Sequence, residues 1–195
     1  MQPYETKTFS LPELSGISSK QIEVHLGLYA GYVKHVNLIA EKLSAVRTGE
    51  LSLDPYIVAE LRRRFAFEFD GMRMHEYFFA QFEHGHSALT PESALAQLAI
   101  AKYGSIDGFT AHIKDVATTR GIGWVVVYHD PHQNVLHTTF VADHEVGQLS
   151  GLTILLALDV WEHAFMVDYV PAQKKDYVEA VFANLNWDVC AARLS

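Results

Sequence analysis

Apolar positions recur at spacings of three and four through the first part of the chain and give way to β-branched and aromatic runs after about position 120. Over about 21–43, Ile22, His25, Tyr29, Tyr32, Val36 and Ile39 share one helical face, with Ser18-Ser19 ahead as a start signal. A second helical run over about 55–82 passes through Asp70-Gly71, where the glycine predicts a kink or a break. Two antiparallel helices are the simplest product. Positions 85–89 read as a linker, and Thr90-Pro91 as the N-cap and first residue of a short helix to about Lys102. Tyr103-Gly104-Ser105 stops that helix and caps the next, over about 106–119. Positions 123–128 and 135–141 flank Asp130-Pro131-His132-Gln133-Asn134, a hairpin signal. Positions 151–158 are apolar apart from Thr153, as in a strand buried on both faces. Pro171 precedes a last helix over about 174–185, followed by Asn186-Trp187. The expected organisation is α+β, with a helical N-terminal domain over 1–85 and a mixed α/β domain over 86–195.

Composition narrows the class. With 195 residues, 49% hydrophobic and 19% charged, the chain has enough apolar content for a core and is no disordered or low-complexity sequence. Fifteen basic against twenty-three acidic residues give a net charge of −8, which argues against a general nucleic-acid or anionic-membrane surface. Cys190 is the single cysteine, so neither an intrachain disulfide nor a thiolate-built metal site is expected, in keeping with a reducing compartment. No apolar run approaches a membrane span, and the first residues resemble neither a secretory signal nor a transit peptide. These features lead to the expectation of a soluble cytoplasmic protein.

Eleven histidines carry the chemistry. Asp159-Val160-Trp161-Glu162-His163 sets a carboxylate and an imidazole four residues apart at the end of an apolar strand. A buried ionised carboxylate needs a partner, and a bound cation is one of few that suffice. An N-capping aspartate and a packed histidine are the ordinary alternative. His25 and His75, each on an apolar helical face, read singly as core histidines; with Asp159 and His163 they make three imidazoles and one carboxylate, a set suited to iron, manganese or zinc. A dinuclear carboxylate bundle would need paired Glu-x-x-His motifs, and only Glu83 and His86 have that spacing.

The segment Asp159-Val160-Trp161-Glu162-His163-Ala164-Phe165, followed by Asp168-Tyr169 and Asn186-Trp187, resembles the signature of the iron/manganese superoxide dismutases. Leu11-Pro12-Glu13-Leu14, Ile22-Glu23-Val24-His25, Tyr103-Gly104-Ser105 and Gly121-Ile122-Gly123-Trp124 match further family landmarks. The resemblance implies a helical hairpin packed on an α/β domain with a three-stranded antiparallel sheet, usually as a homodimer or tetramer. It implies that His25, His75, Asp159 and His163 hold one iron or manganese ion per chain, with iron slightly preferred and use of both allowed. Superoxide is the implied substrate, dismutated to oxygen and hydrogen peroxide, and a metal-binding homologue without that activity is the alternative.

Second-layer positions follow the same resemblance. Tyr32 takes the place of the tyrosine at the mouth of the substrate funnel, seven positions after His25 rather than the usual eight, and Tyr29-Ala30 replaces paired histidines. Trp124 and Trp161 match aromatic walls around the metal, and Phe79 stands where Trp is common. Gly71 occupies a place where iron-type members often carry Gln, so His144, at the end of the hairpin, is expected as the donor to metal-bound solvent. Glu162 resembles the residue that reaches a ligand histidine of a partner subunit. Ala157, Met166 and positions 170–175 depart from the family pattern, and Lys174 and Lys175 are candidates for attracting superoxide. His35, His84, His86, His112, His129, His132 and His137 are expected at the surface.

Overall fold

Residues 2–194 are described by a computed structural model; Met1 and Ser195, the outer ends of the two expected domains, lie outside the described residues. Helix α1 (Ser19–Thr48) begins where the Ser18 hydroxyl accepts the Gln21 amide and ends at Gly49, whose φ of 81° closes the helix in the left-handed region. Helix α2 (Pro55–Ala80) starts with Asp54 capping the Tyr56 amide and proline at the first helical position. The two run antiparallel, with His25 beside His75 and His35 beside Glu68. Of the kink or break expected at Asp70-Gly71, the break is absent: α2 is continuous. Gly71 serves packing instead: a Cβ there would meet the Tyr32 ring at 2.6 Å.

Helix α3 (Ala94–Tyr103) starts later than expected. Pro91 lies in a turn closed by the Ser93 amide on the Thr90 carbonyl, and Ser93, whose hydroxyl accepts the Ala96 amide, is the cap. Helix α4 (Ile106–Ala117) is capped by Ser105. Strands β1 (Gly123–Asp130), β2 (Val135–Ala142) and β3 (Thr153–Asp159) form an antiparallel sheet in the order β2-β1-β3. In its register Trp124 lies between Val141 and Asp159. The expected last helix is α5 (Lys174–Asn184), preceded by a 3-10 turn Pro171–Gln173, and a further helix α6 (Trp187–Ala192) follows. Asn186 therefore starts a helix, its side chain accepting the Asp188 and Val189 amides. His129, expected at the surface, is buried in β1 and bonded to Asn134, because the central strand has both faces covered.

Strand β3 is an edge strand, and its outer side is occupied by side chains rather than by another strand. Gln81, just past α2, donates to the Ala157 carbonyl at 2.8 Å and accepts the Ala157 amide. Arg193 donates to the Leu155 carbonyl and, with its other arm, to that of Tyr77. These bonds satisfy edge groups that would otherwise be buried without partners, and they fix the end of α2 against the strand that carries Asp159.

Candidate metal centre

Four side chains from three parts of the chain meet between the helices and the sheet. His25 comes from α1, His75 from α2, Asp159 from the last position of β3, and His163 from a 3-10 turn Glu162–Ala164. One ligating atom from each lies within 4.8 Å of all the others. Asp159 Oδ2 is 3.0 Å from His25 Nε2, 3.3 Å from His163 Nε2 and 3.6 Å from His75 Nε2. His25, His75 and Asp159 are buried, and the His163 side chain is 20% exposed.

The orientation of each group is set by neighbours outside the cluster. His75 Nδ1 donates to the Gly71 carbonyl at 2.6 Å, which leaves Nε2 as a bare lone pair facing inward. Asp159 Oδ1 accepts the Trp161 amide at 2.8 Å, and the Asp159 carbonyl accepts the Tyr177 hydroxyl. The Gln21 amide donates to the His163 carbonyl, and its oxygen accepts the Val167 amide, pinning the turn to α1. Burial opposes ionisation of Asp159, yet the neighbouring His163 and the bond to His25 hold its carboxyl well below the usual carboxylate range. Burial lowers His25 against the pull of Asp159, and burial with His25 beside it lowers His75 well below the ordinary histidine value. Neutral imidazoles at His25 and His75 and an ionised carboxylate at Asp159 are the protonation states a cation requires.

Whether these residues fit a metal is tested by two buried atoms. His75 Nε2 and His163 Nε2 make no hydrogen bond. Each such orphan costs about 1–3 kcal/mol when left unpaired, and one cation between them and Asp159 would satisfy both. Three imidazoles and one carboxylate match the preferences of a first-row metal. Glu83 and His86 enter no such cluster among the described residues; His86 instead bonds the Leu185 carbonyl.

Next to the cluster, the Trp124 indole donates to His144 Nδ1 at 2.9 Å, and His144 Nε2 lies 2.8 Å from the Tyr32 hydroxyl. His144 is buried, and burial lowers it to about 4 in spite of the Asp159 charge, so its ring is neutral at pH 7. Burial likewise pushes the Tyr32 phenol well up. Trp161 stacks on both His144 and His163, and its indole donates to the Asp143 carbonyl. Phe78 and Phe79 pack against His25. The Tyr29 ring stacks on that of His75, and its hydroxyl accepts the Lys7 amide and bonds Glu76, which also pairs with Lys7 and Arg73. Glu162, Met166 and Lys175 are exposed, while Lys174 donates to the Thr119 carbonyl.

Several contributors had no sequence signal of their own. Gln21, Gln81 and Tyr177 act on backbone groups far along the chain. Phe67, whose ring lies 4.6 Å from that of His144 and under the Arg64 guanidinium, had one: Phe67, Gly71 and His75 recur every four residues along α2.

A family profile described as iron/manganese superoxide dismutases, C-terminal domain, matches residues 91–193. An iron superoxide dismutase of Saccharolobus solfataricus is 31% identical over 91% of this chain and 85% of its own length. One from Aquifex aeolicus is 33% identical over 92% of this chain and 85% of its own. A superoxide dismutase of Aeropyrum pernix, named for manganese and iron, is 33% identical over 84% of this chain and 75% of its own.

Proposed function

The chain belongs to the iron/manganese superoxide dismutase family, and from that premise we propose that it dismutates superoxide at a single iron or manganese ion held by His25, His75, Asp159 and His163. The observation that carries the reading is the convergence of these four groups with two inward imidazole nitrogens left bare. The ion would supply one-electron redox chemistry: one superoxide is oxidised to oxygen, and a second is reduced with two protons to hydrogen peroxide.

The protein's own part follows from its side chains. The Asp159 carboxylate offsets the ion's charge and, through its bonds to the Trp161 amide and His25, stays in one orientation. Trp124, Trp161, Phe78 and Phe79 keep bulk water from the imidazoles. Tyr32 and His144 hold an exchangeable proton at the edge of the site. Iron is the slightly preferred metal and use of both is allowed, a reading supported by relatives named for iron, for manganese, and for both.

We place the division between the two domains at about residue 85, and we read the assembly as a homodimer, with a tetramer as the larger alternative. Support comes from the exposed Glu162, next to His163, and from Met166, Val167 and Val170, which are also exposed. Sedimentation of the metal-loaded protein tests the assembly. A cytoplasmic location is consistent with one cysteine, and no helix among the described residues is long and apolar enough to cross a membrane. The function is tested by reconstituting the protein separately with iron and with manganese, measuring dismutation and metal content on each sample. Activity is expected in at least one form. His75→Ala and Asp159→Ala should lose metal and activity together, whereas full occupancy with no activity in either form would leave a metal-binding homologue.

A further inference from the structure

Positions 4–10 belong to no helix or strand, and they lie across the two helices that carry His25 and His75. Tyr4 gives both backbone groups to one side chain of α1: its amide donates to Asn37 Oδ1 and its carbonyl accepts Asn37 Nδ2, each at 2.8 Å. The Tyr4 ring meets Phe69 of α2 edge-on, and the Arg73 guanidinium lies 5.4 Å from both rings. Lys7 is fastened twice. Its amide donates to the Tyr29 hydroxyl at 2.9 Å, and its ammonium pairs with Glu76 at 2.8 Å. Phe9 packs on Tyr29 and Phe79, and the Ser10 amide donates to Glu83 just past α2. This strap covers the outer side of the metal cluster. Tyr29 is wholly buried beneath it with its ring stacked on His75, and Phe79 lies against both His25 and His75. Glu76, the residue after His75, is buried among Lys7, Arg73 and the Tyr29 hydroxyl.

We propose that residues 4–10 are a clasp over the metal centre, and that its release from Tyr29 and Glu76 is the step that opens the site to metal exchange. The inference rests on the reading of His25, His75, Asp159 and His163 as ligands. Three of the four are buried, so a cation cannot reach them without an opening. The other walls are costly to open: Trp124 belongs to the central strand of the sheet, and α1 and α2 are continuous helices. The strap is held by single side-chain bonds, and Lys7 is exposed, the marks of a segment that opens locally at low cost. Among the described residues its hydrogen bonds and ion pairs end on Asn37, Tyr29, Glu76 and Glu83, none of them a candidate ligand. Releasing it therefore leaves the ligand set intact while uncovering Tyr29, the ring between the strap and His75. The other edge of the site, at His163, is 20% exposed and is the competing route.

The test uses the full chain and zinc, whose transfer from and to a chelating dye is followed without turnover. Lys7→Met takes the ammonium from Glu76, and Tyr29→Phe takes the hydroxyl from the Lys7 amide and from Glu76; Arg73 still pairs with Glu76 in both. A cover that opens more often speeds traffic in both directions. Uptake and release should each rise at least about tenfold, the equivalent of one charge-assisted bond, while their ratio, the dissociation constant, stays within about twofold. Weaker binding with no faster uptake would mean damage to the site itself and overturns the clasp. Unchanged rates in both variants also overturn it and put the route at His163. Ile113→Val, in the core of α4, lowers stability away from the strap and should leave both rates as they were. If it speeds exchange as much as the strap variants do, the metal moves through general unfolding and the clasp falls. An unaltered chain that binds no zinc refutes the metal centre and the clasp with it, whereas binding with exchange indifferent to the strap refutes the clasp alone.

Discussion

Gly71 has no side chain because Tyr32 already occupies that volume. A methyl group at 71 would meet Cδ1 of the ring at 2.6 Å, and the ring is held from its far end by His144. Gly71→Ala should therefore cost about 1–3 kcal/mol by overpacking, measured by denaturant unfolding, and should lower activity by shifting Tyr32. Full activity with unchanged stability would mean that the ring moves freely. The preceding residue gives a test in pH. Asp70 is half-buried, and burial together with the nearby Glu145 pushes its carboxyl up to about 6. In the unfolded chain an aspartate titrates near about 3.9. Over the window between these values the folded state holds the proton more tightly, so this group's contribution to stability falls as pH rises through the window and is constant above it. Asp70→Asn should gain in melting temperature relative to the unaltered protein as pH goes from about 4 to about 7. A gap that does not change with pH would contradict the assignment.

Among the elements, the junction between α2 and β3 bears on the site most directly, because it joins the helix of His75 to the strand of Asp159. Gln81 is fully buried and uses both ends of its amide on Ala157. Gln81→Leu keeps most of the volume but leaves the Ala157 amide and carbonyl with no partner on that side. The expected cost is about 2–6 kcal/mol, two orphaned groups at the usual penalty, seen in denaturant unfolding; a change near zero would mean that water replaces the amide. Elements of this kind mark the limit of what sequence displays. The hairpin of helices, the three strands and Asp159 with His163 were legible because each is carried by local periodicity or by neighbours in the chain. The continuity of α2, the start of α3 and the existence of α6 were not. Each turns on a contact or a capping choice: Tyr32 over Gly71, Ser93 preferred to Thr90 as a cap, Asn186 as a start rather than an end. The motif residues of the site were similarly readable, while Gln21, Gln81 and Tyr177 entered it only through folding.

For the molecule as a whole, the four candidate ligands tie α1, α2 and the end of β3 to one point. Without a cation that point gathers a buried carboxylate, three imidazoles and two bare nitrogens, so it opposes the packing around it. A metal that binds only the folded chain stabilises it by linkage, about 4 kcal/mol at a thousandfold excess over its dissociation constant. For a chain of this size each kcal/mol moves the melting temperature by roughly 2–4 °C, so loading should raise it by about 8–16 °C. Zinc separates structure from chemistry. It accepts imidazole and carboxylate ligands but has no redox states to cycle between. Scanning calorimetry should show stabilisation by iron, manganese and zinc alike, with dismutation absent from the zinc form. If His25, His75, Asp159 and His163 are the ligands, Asp159→Ala should remove the metal-dependent part of the shift for all three ions. A variant that kept it would place the metal elsewhere in the fold.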